Sequence, residues 1–433
     1  MYLFLVKMAR LTPLLERMLY QRSVHPIIVK TSKPSDIWEE IAPLQPAMLK
    51  DFFKQLFPRV TGAAEVALAA PKIIRMFNMI SFPASPLIIE ELAQDRRVDK
   101  IFLDRMMYTT SKVPDVGVYE DPTTKKKFTT TYWTRKLLGL EEANVKGWTG
   151  KGIIACTIDT GAGVHEQLPH IEHRSTMTGM YTDGSGHGTH VASILGGKPA
   201  EDRAFRVWVS GMAPDVRLIS IKSLGYVIGY GKESDILEAM ELSAKIGTDI
   251  VNLSLGSTEV TEKPEDDPQV EAIKKLTEEY KMLVVVAAGN SGPEPDTINS
   301  PGVSPDAITV GAWDEINGGV ASFSSRGPTK WGDVKPDFVA PGIRVDSGCV
   351  NLLDLQGDKK PQRYSYLCGT SISTPHLSGL LACARQLFRT KGVVLTSEMV
   401  KDVGEKIGEE KNNETGYGLL TWNTIEEYFN EYT

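Results

Sequence analysis

The sequence is poor in cysteine, has no excess of basic residues and contains no long apolar run. Each deficiency excludes a class of protein. Four cysteines among 433 residues are too few for a disulfide-built framework, although a single bridge stays open. The 48 basic and 55 acidic residues give a net charge of -7, which does not indicate nucleic acid as the main partner. No stretch approaches the roughly 20 apolar residues of a membrane span, so we expect no membrane span.

The remaining composition is typical of a globular chain, with 41% hydrophobic and 24% charged residues. At roughly 150 residues per domain, the length allows two or three domains. The first residues do not resemble a secretory signal, because Lys7 and Arg10 follow the apolar residues 1–6 instead of preceding them. We therefore expect no recognisable leader. Localisation stays open between the cytoplasm and export without such a leader.

Pattern changes along the chain predict four regions. They are an N-terminal extension (1–22), a small α+β domain (23–108), a polar linker or insert of unassigned role (109–148) and a large α/β domain (149–433). In the small domain, the segments 26–30, 37–57, 64–69, 73–80 and 87–95 are predicted as strand, helix, strand, helix and strand. The linker carries three successive lysines at 125–127, and we expect it to be exposed.

From residue 149 onward, apolar runs of strand length alternate with helical patterns. The runs are 152–158, 216–220, 249–255 and 283–288, and the main helical patterns are 234–246, with Ser234 as the expected N-cap, and 268–280. This alternation predicts a three-layer α/β/α fold with a mostly parallel sheet covered on both faces. In such sheets, functional groups collect beyond the carboxyl ends of the strands.

One hydroxyl in the large domain is placed for nucleophilic acyl transfer. That chemistry needs an activated hydroxyl, an imidazole base, a carboxylate that orients the base and donors for an oxyanion. Ser371 precedes an apolar helical pattern with Pro375 in its first turn. The N–H groups and the dipole at such a helix start favour an anion. A serine that only caps this helix is the alternative.

Three further side chains supply the other groups, and each has a structural alternative. His187 lies between two glycines that allow close approach, and imidazole suits general-base work near neutral pH; a loop histidine is the alternative. Asp159 ends an apolar run, where a carboxylate is costly to bury unless it is paired; a turn aspartate is the alternative. Asn290 follows a strand and offers an amide donor, or is a turn asparagine. We expect His190 to be structural.

Four segments that contain these side chains resemble a known family. Residues 157–161 (Thr-Ile-Asp-Thr-Gly), 186–190 (Gly-His-Gly-Thr-His), 287–290 (Ala-Ala-Gly-Asn) and 369–376 (Gly-Thr-Ser-Ile-Ser-Thr-Pro-His) closely resemble the signature segments of subtilisin-like serine proteases. The chain order Asp, His, Ser is the one found in subtilisin. The resemblance runs from about residue 148 to 423. It departs mildly at Ile372 and Ser373, where the family more often has Met and Ala.

The resemblance implies a role for each residue of the site. Ser371 would be the nucleophile, His187 the general base and then acid, and Asp159 the orienting carboxylate, while Asn290 would complete the oxyanion hole. The edge strand to which substrate backbone adds would be Gly229, Tyr230 and Gly231. The walls of the pocket for the residue before the scissile bond would include Ser254, Leu255, Gly256, Ala288 and Gly289.

The small leading domain weakly resembles the propeptide of these proteases. The resemblance implies an intramolecular chaperone and inhibitor, cut by the enzyme itself at a junction within about 107–113. The predicted function is therefore a serine endopeptidase made as a self-processed zymogen, with polypeptides as substrates and its own propeptide as inhibitory partner. No cofactor is expected for the chemistry. Structural calcium is implied by the resemblance alone, with unidentified ligands. A catalytically silent binding module and an esterase or transacylase are the alternative functions.

Two other patterns resemble a zinc site and a disulfide bond. The segment 165–170 reads HExxxH, which has the wrong spacing for a zinc helix, and Pro169 breaks the helix that would align His165 with His170. We expect a loop there. Cys349 and Cys368 flank an expected hairpin, and whether they pair is left open.

Overall fold

The protein is represented by a computed structural model, which describes residues 25–41, 72–84, 86–109, 111–112, 129–177, 181–203, 207–225, 229–351, 362–407 and 410–432. The predicted N-terminal extension and the predicted strand at 64–69 lie outside the described residues, as does most of the predicted helix at 37–57. No helix within the described ranges is both long and apolar enough to span a bilayer.

The described elements of the leading region are short strands, helices and a 3-10 turn. Its strands are β1 (His25–Thr31), β2 (Lys72–Ile74), β3 (Met79–Ala84), β4 (Val98–Leu103), β5 (Met106–Thr109) and β6 (Ser111–Lys112). Its helices are α1 (Pro34–Ile41) and α2 (Pro86–Leu92), and a 3-10 turn covers Arg75–Phe77.

The rest of the chain supplies the larger elements. Its strands are β7 (Thr129–Thr130), β8 (Ile154–Asp159), β9 (Glu172–Ser175), β10 (Ala200–Asp202), β11 (Val207–Val209), β12 (Arg217–Lys222), β13 (Tyr230–Lys232), β14 (Ile250–Leu253), β15 (Leu255–Gly256), β16 (Leu283–Ala287), β17 (Ile308–Trp313), β18 (Phe338–Pro341), β19 (Val345–Asn351) and β20 (Gln362–Gly369). Its helices are α3 (Thr131–Leu137), α4 (Leu140–Val145), α5 (His187–Gly196), α6 (Glu233–Ile246), α7 (Pro268–Glu278), α8 (Thr370–Arg389), α9 (Ser397–Glu405) and α10 (Trp422–Tyr432).

A seven-stranded sheet of parallel strands forms the centre of the large domain, in the order β18-β17-β16-β14-β8-β12-β9. Later strands are added on one side of β8 (β9 and β12) and then on the other (β14 to β18). The strand order therefore reverses at β8. The carboxyl end of a strand at such a reversal is where open α/β sheets bind ligands.

Helices cover both faces of this sheet, because successive residues of each strand point to opposite sides. In β8, Ala155 packs in a core with α5 and α8, whereas the next residue, Cys156, packs in a second core with α6 and α7. Both faces are apolar, which explains why these strands read as continuous hydrophobic runs. The structure confirms the predicted three-layer α/β/α fold.

The leading domain is a four-stranded antiparallel sheet in the order β2-β3-β1-β4, with helices on one face. Ile27 and Val29 of β1 pack against α1 and α2. The opposite face carries Ile28, Met79 and Phe102, which share a core with α6 and α7 of the large domain. The small sheet is therefore sandwiched between its own helices and those of its neighbour.

Two elements predicted in this domain are wrong. Residues 73–80, predicted as a helix, form the end of β2, the 3-10 turn and the start of β3. Residues 87–95, predicted as a strand, contain α2. Pro86 occupies its first turn, and the buried Ile88, Ile89 and Leu92 recur at helical spacing.

The predicted N-cap of α6 is also wrong. The helix begins at Glu233, so Ser234 lies within its first turn. The backbone N–H and the hydroxyl of Ser234 donate to Asp104 Oδ1 and Oδ2, at 2.9 and 2.6 Å. Asp104 belongs to the leading domain, and its buried carboxylate thus meets the positive end of α6. Local sequence cannot reveal an acceptor that comes from so far along the chain.

The hairpin of β19 and β20 keeps its two cysteines apart. Val345 is opposite Leu367 and Gly348 is opposite Tyr364, so Cys349 and Cys368 lie at opposite ends of the ladder. All four cysteines are free thiols. The pairing that the sequence left open is therefore not present.

The C-terminal part of the predicted linker is helical and packed. Leu138, next to α3, and Leu140 and Ala143 of α4 are buried in the same core as α8 and α10. Trp422, the first residue of α10, is fully buried, and its backbone N–H donates to the Leu138 carbonyl at 2.9 Å. Apolar packing thus joins residues 138–143 to the C-terminal helix.

We predict that Trp422→Ala lowers the free energy of unfolding by about 3–5 kcal/mol, because it leaves a large cavity in this core. Trp133→Ala should cost less than about 1 kcal/mol, since Trp133 is 60% exposed. Both variants are to be made in a chain carrying Ser371→Ala, so that self-digestion does not interfere. Denaturant unfolding followed by near-UV circular dichroism measures the two losses, and equal losses would contradict the packing described.

Candidate active site

Asp159 is the last residue of β8, the strand at which the sheet order reverses. Its side chain is fully buried, and its Oδ1 accepts a hydrogen bond from the Thr160 N–H at 2.7 Å. Thr160 Oγ1 in turn accepts from the Gly188 N–H at 2.9 Å. These bonds tie the end of β8 to the first turn of α5.

His187 is the first residue of α5, and a buried carboxylate shapes the turn that leads to it. Asp183 Oδ1 accepts from the N–H groups of Ser185 and Gly186, each at 2.9 Å. Asp183 Oδ2 accepts from the N–H of Thr189 at 2.9 Å and from its hydroxyl at 2.7 Å. Burial raises the pKa of Asp183. Gly186 has a φ of 86°, a conformation that favours glycine.

Sequence reasoning missed Asp183. The available signal was an aspartate followed by Gly-Ser-Gly directly before a predicted helix, which is a typical setting for a carboxylate that binds the free N–H groups of a helix start.

Ser371 is the second residue of α8, at the helix end that faces the carboxyl edge of the sheet. Gly369 precedes the helix with a φ of 151°. Ser254, which follows β14, donates from its hydroxyl to the Ser371 carbonyl at 2.8 Å. Asn252 Nδ2 donates to Ser254 Oγ at 2.9 Å. A strand neighbouring β8 thus holds the backbone of Ser371.

The structure brings these three remote side chains into one hydrogen-bonded line. His187 Nδ1 lies 2.7 Å from Asp159 Oδ1, and His187 Nε2 lies 3.1 Å from Ser371 Oγ. The exposed fractions are 0% for Asp159, 4% for His187 and 0% for Ser371. Since a carboxylate only accepts hydrogen bonds, Nδ1 carries the proton and Nε2 is left as an acceptor for the serine hydroxyl.

Asn290 lies beside this line, and its amide is oriented by Thr370. Asn290 Oδ1 accepts from the N–H and from the hydroxyl of Thr370, each at 3.0 Å. The Gly289 N–H donates to Thr370 Oγ1 at 3.1 Å, which completes the chain. These bonds fix the oxygen of the Asn290 amide and with it the orientation of the whole amide group. Sequence reasoning found Asn290 and missed Thr370, which gives no signal apart from its place beside Ser371.

The predicted substrate segments lie on both sides of a strand from the leading region. β5 is the middle strand of a three-stranded antiparallel sheet in the order β13-β5-β15. Tyr230 and Gly231 of β13 are opposite Tyr108 and Met107. Leu255 and Gly256 of β15 are opposite residues 109 and 108. The Gly229 carbonyl accepts from the N–H of residue 109 at 3.2 Å.

Ala288 was predicted as part of the pocket wall. It is fully buried, and it packs with Ile298 and Val303. The hydrogen bond from Gly289 to Thr370 brings the neighbouring backbone directly to the start of α8. That Ala288 and Gly289 line the substrate pocket stays a prediction.

The other histidines near the site have structural contacts. His190 Nε2 lies 2.9 Å from the Ser365 carbonyl, and burial lowers the pKa of His190 to about 3. His376 Nε2 lies 2.9 Å from Thr134 Oγ1, and burial lowers the pKa of His376 to about 4. His165 Nε2 lies 2.6 Å from the Arg363 carbonyl, in a segment without helix. The predicted loop at 165–170 is confirmed.

The described ranges offer no group of three His, Cys, Asp or Glu side chains that is arranged to hold a metal ion. Calcium is also bound by backbone and amide oxygens, so the structural calcium that the family resemblance implies stays a prediction.

Comparison with known proteins identifies the architecture. The family model described as the subtilase family matches residues 150–418. Serine protease AprX of Bacillus subtilis (strain 168) is 34% identical over 298 residues, covering 63% of this chain and 65% of its own length. The Minor extracellular protease Epr of the same organism is 29% identical over 348 residues, covering 79% of this chain and 49% of its own length.

Subtilisin Savinase of Lederbergia lenta is 32% identical over 280 residues, which cover 64% of this chain and 92% of its own length. The chain therefore spans nearly all of Subtilisin Savinase but only part of the two Bacillus subtilis relatives. On the family match over residues 150–418 and this coverage, the chain belongs to the subtilase family of subtilisin-like serine proteases.

Proposed function

We propose that this chain is a serine endopeptidase that hydrolyses polypeptides and is made as a self-processing zymogen. The observation that carries the proposal is the hydrogen-bonded line from Asp159 through His187 to Ser371, with a strand of the same chain lying in the adjacent cleft. The names of the relatives, which include a serine protease and a subtilisin, support the same chemistry.

The first half of the reaction is acylation of Ser371. Its Oγ attacks the carbonyl carbon of the scissile peptide while His187 Nε2 removes the hydroxyl proton. Asp159 holds the imidazole through Nδ1 and stabilises the imidazolium that forms. The imidazolium then gives its proton to the leaving amine, and the acyl group remains on Ser371.

The oxyanion of the tetrahedral intermediate is stabilised by two donors. One is Asn290 Nδ2, whose orientation follows from the two hydrogen bonds of Thr370 to Asn290 Oδ1. The other is the backbone N–H of Ser371, which lies in the first turn of α8. The positive end of this helix adds to the same effect.

The second half is deacylation by water. His187 removes a proton from the water that attacks the acyl carbon, and returns a proton to Ser371 Oγ as the ester bond breaks. Peptide substrates bind by adding a strand between β13 and β15, so that backbone hydrogen bonds supply much of the recognition.

The first substrate is the chain itself. β5 ends at Thr109, between β13 and β15, and β6 begins at Ser111, which is opposite Gly369, two residues before Ser371. We infer that Thr110–Ser111 is the bond cut during maturation, since it joins these two strands. This bond lies within the range predicted from the sequence.

The leading domain then acts as the inhibitor. β5 fills the place that we assign to substrate, and the small sheet packs on α6 and α7 beside it. A substrate strand cannot pair with β13 and β15 while β5 occupies the same backbone groups.

We expect that the Ser371→Ala chain folds and stays full length, because it lacks the nucleophile that cuts its own junction. The unmodified chain should instead be cut to give a fragment that begins at Ser111. Intact-mass analysis and N-terminal sequencing of purified protein distinguish these results. Ser373→Ala is the matched control, since its buried hydroxyl lies outside the proposed relay. Maturation of the Ser371→Ala chain in pure solution would contradict self-processing.

We expect Asn290→Ala to lower kcat of the mature enzyme by about 10²–10³-fold, the range known from the oxyanion donor of subtilisin itself. KM should change little, because this hydrogen bond forms in the transition state. Thr370→Val should lower kcat less, as it removes one of the two bonds that orient the amide. Labelling with a serine-directed phosphonate counts intact sites in each variant. A mature, folded chain that takes no label on Ser371 would instead favour a silent binding module.

A further inference from the structure

An arginine of the leading region is buried between the two domains. Arg105 lies immediately before β5, and its side chain is only 2% exposed. Burial of a guanidinium is costly unless charged partners and hydrogen bonds compensate for lost water. Its partners are all contributed by the peptidase domain.

Two carboxylates form ion pairs with the guanidinium of Arg105. Arg105 Nε donates to Glu233 Oε2 at 3.1 Å, and Nη2 donates to Glu233 Oε1 and to Asp267 Oδ2, the latter at 2.8 Å. Nη1 donates to the Glu259 carbonyl at 2.7 Å. Such forked, charge-assisted bonds match the planar guanidinium and not the ammonium of lysine.

Other residues of the pocket donate hydrogen bonds to the two carboxylates but carry no positive charge. Gln269 Nε2 donates to Glu233 Oε1 at 2.9 Å, and Ser300 Oγ donates to Asp267 Oδ2 at 2.7 Å. Both carboxylate side chains are fully buried. If Arg105 departs with the leading segment, the two neighbouring carboxylates lose their counter-charge, and burial already raises the pKa of Glu233. A substrate guanidinium would restore that counter-charge.

The pocket formed by Glu233 and Asp267 lies next to the paired strands β13 and β5, where we place the substrate. The Glu233 N–H donates to the Arg105 carbonyl at 2.8 Å, which continues the ladder of β13 and β5 by one more pair. Two residues further on, Met107 is fully buried and accepts a hydrogen bond from Gln269 at its Sδ. A substrate strand that replaces β5 presents its own residues to the same two pockets.

We propose that Glu233 and Asp267 form a substrate subsite that selects arginine at the sixth residue before the scissile bond, counting Thr110 as the first. The proposal rests on the endopeptidase function and deepens it. The preferred substrates are polypeptides with arginine at this sixth position. The alternative is that the ion cluster only anchors the leading domain.

The test uses the mature enzyme and three fluorogenic peptides that span residues 103–113. The first peptide has the natural sequence, the second has citrulline in place of Arg105, and the third has lysine there. Citrulline keeps the shape of arginine and removes its charge. We expect kcat/KM to fall by about tenfold or more with citrulline, since hydrogen bonds to charged groups are the strong ones. Lysine should give an intermediate value.

Matched enzyme variants locate the effect. In Glu233→Gln/Asp267→Asn, the preference for arginine over citrulline should shrink to about twofold or less, while cleavage of the citrulline peptide persists. Glu271→Gln is the control, because Glu271 lies in the first turn of α7, which Asp267 precedes, but pairs with Lys30. It should retain the full preference. Phosphonate labelling of Ser371 normalises each rate to the number of folded sites.

The outcomes separate the two proposals. Equal rates for the arginine and citrulline peptides overturn the subsite and leave the endopeptidase function standing. Retention of the preference in the double variant also overturns it, since the selectivity would then arise elsewhere. Failure to cleave any of the peptides, with no label on Ser371, overturns the proposed function itself.

Discussion

The burial of the Asp159 carboxylate at the end of β8 is the constraint on which the site depends. A carboxylate without solvent contact must be matched by donors, and here the donors are the Thr160 N–H and the imidazole of His187. That requirement fixes the start of α5 against the end of β8. The imidazole is thereby aimed at Ser371, which Ser254 holds from the neighbouring strand. The parallel sheet supplies the geometry, because its strands all end at this edge.

A second constraint is the pair of strand edges, one on β13 and one on β15, that border the cleft. β13 and β15 are short strands whose backbone groups need a partner between them, and β5 supplies it in this structure. Exposed edges of this kind invite pairing with any extended chain. Under the proposed function, the same property makes the cleft suitable for peptide substrates and makes an inhibitory strand effective. Recognition and inhibition would then use one set of hydrogen-bonding groups.

The sequence was sufficient to predict the layers of the large domain and four of the seven strands of its sheet, and insufficient for the other three strands and for contacts between distant segments. Apolar runs such as 283–288 predicted buried parallel strands, because both faces of the sheet are covered, and the glycine-flanked His187 stood out chemically. The small domain was harder: residues 87–95 were assigned to a strand although Pro86 begins a helix there. Asp104, Asp183 and Arg105 were all missed, since each acts through partners that only the tertiary fold brings near.

Contacts between the leading domain and the large domain determine whether the leading domain stays bound after cleavage. Lys72 pairs with Asp235 and Glu238 at 2.8 and 2.6 Å, Asp104 meets the start of α6, and Arg105 is held by Glu233 and Asp267. All of these leading residues precede the proposed bond at 110–111, so hydrolysis of that bond breaks none of their contacts. The cut segment therefore remains bound as a product. One face of its small sheet is apolar and packs against α6 and α7, so the detached domain would expose that face and lose stability. Under the proposed function, activation then requires loss of the leading domain, by unfolding or digestion, as a step separate from the first cleavage.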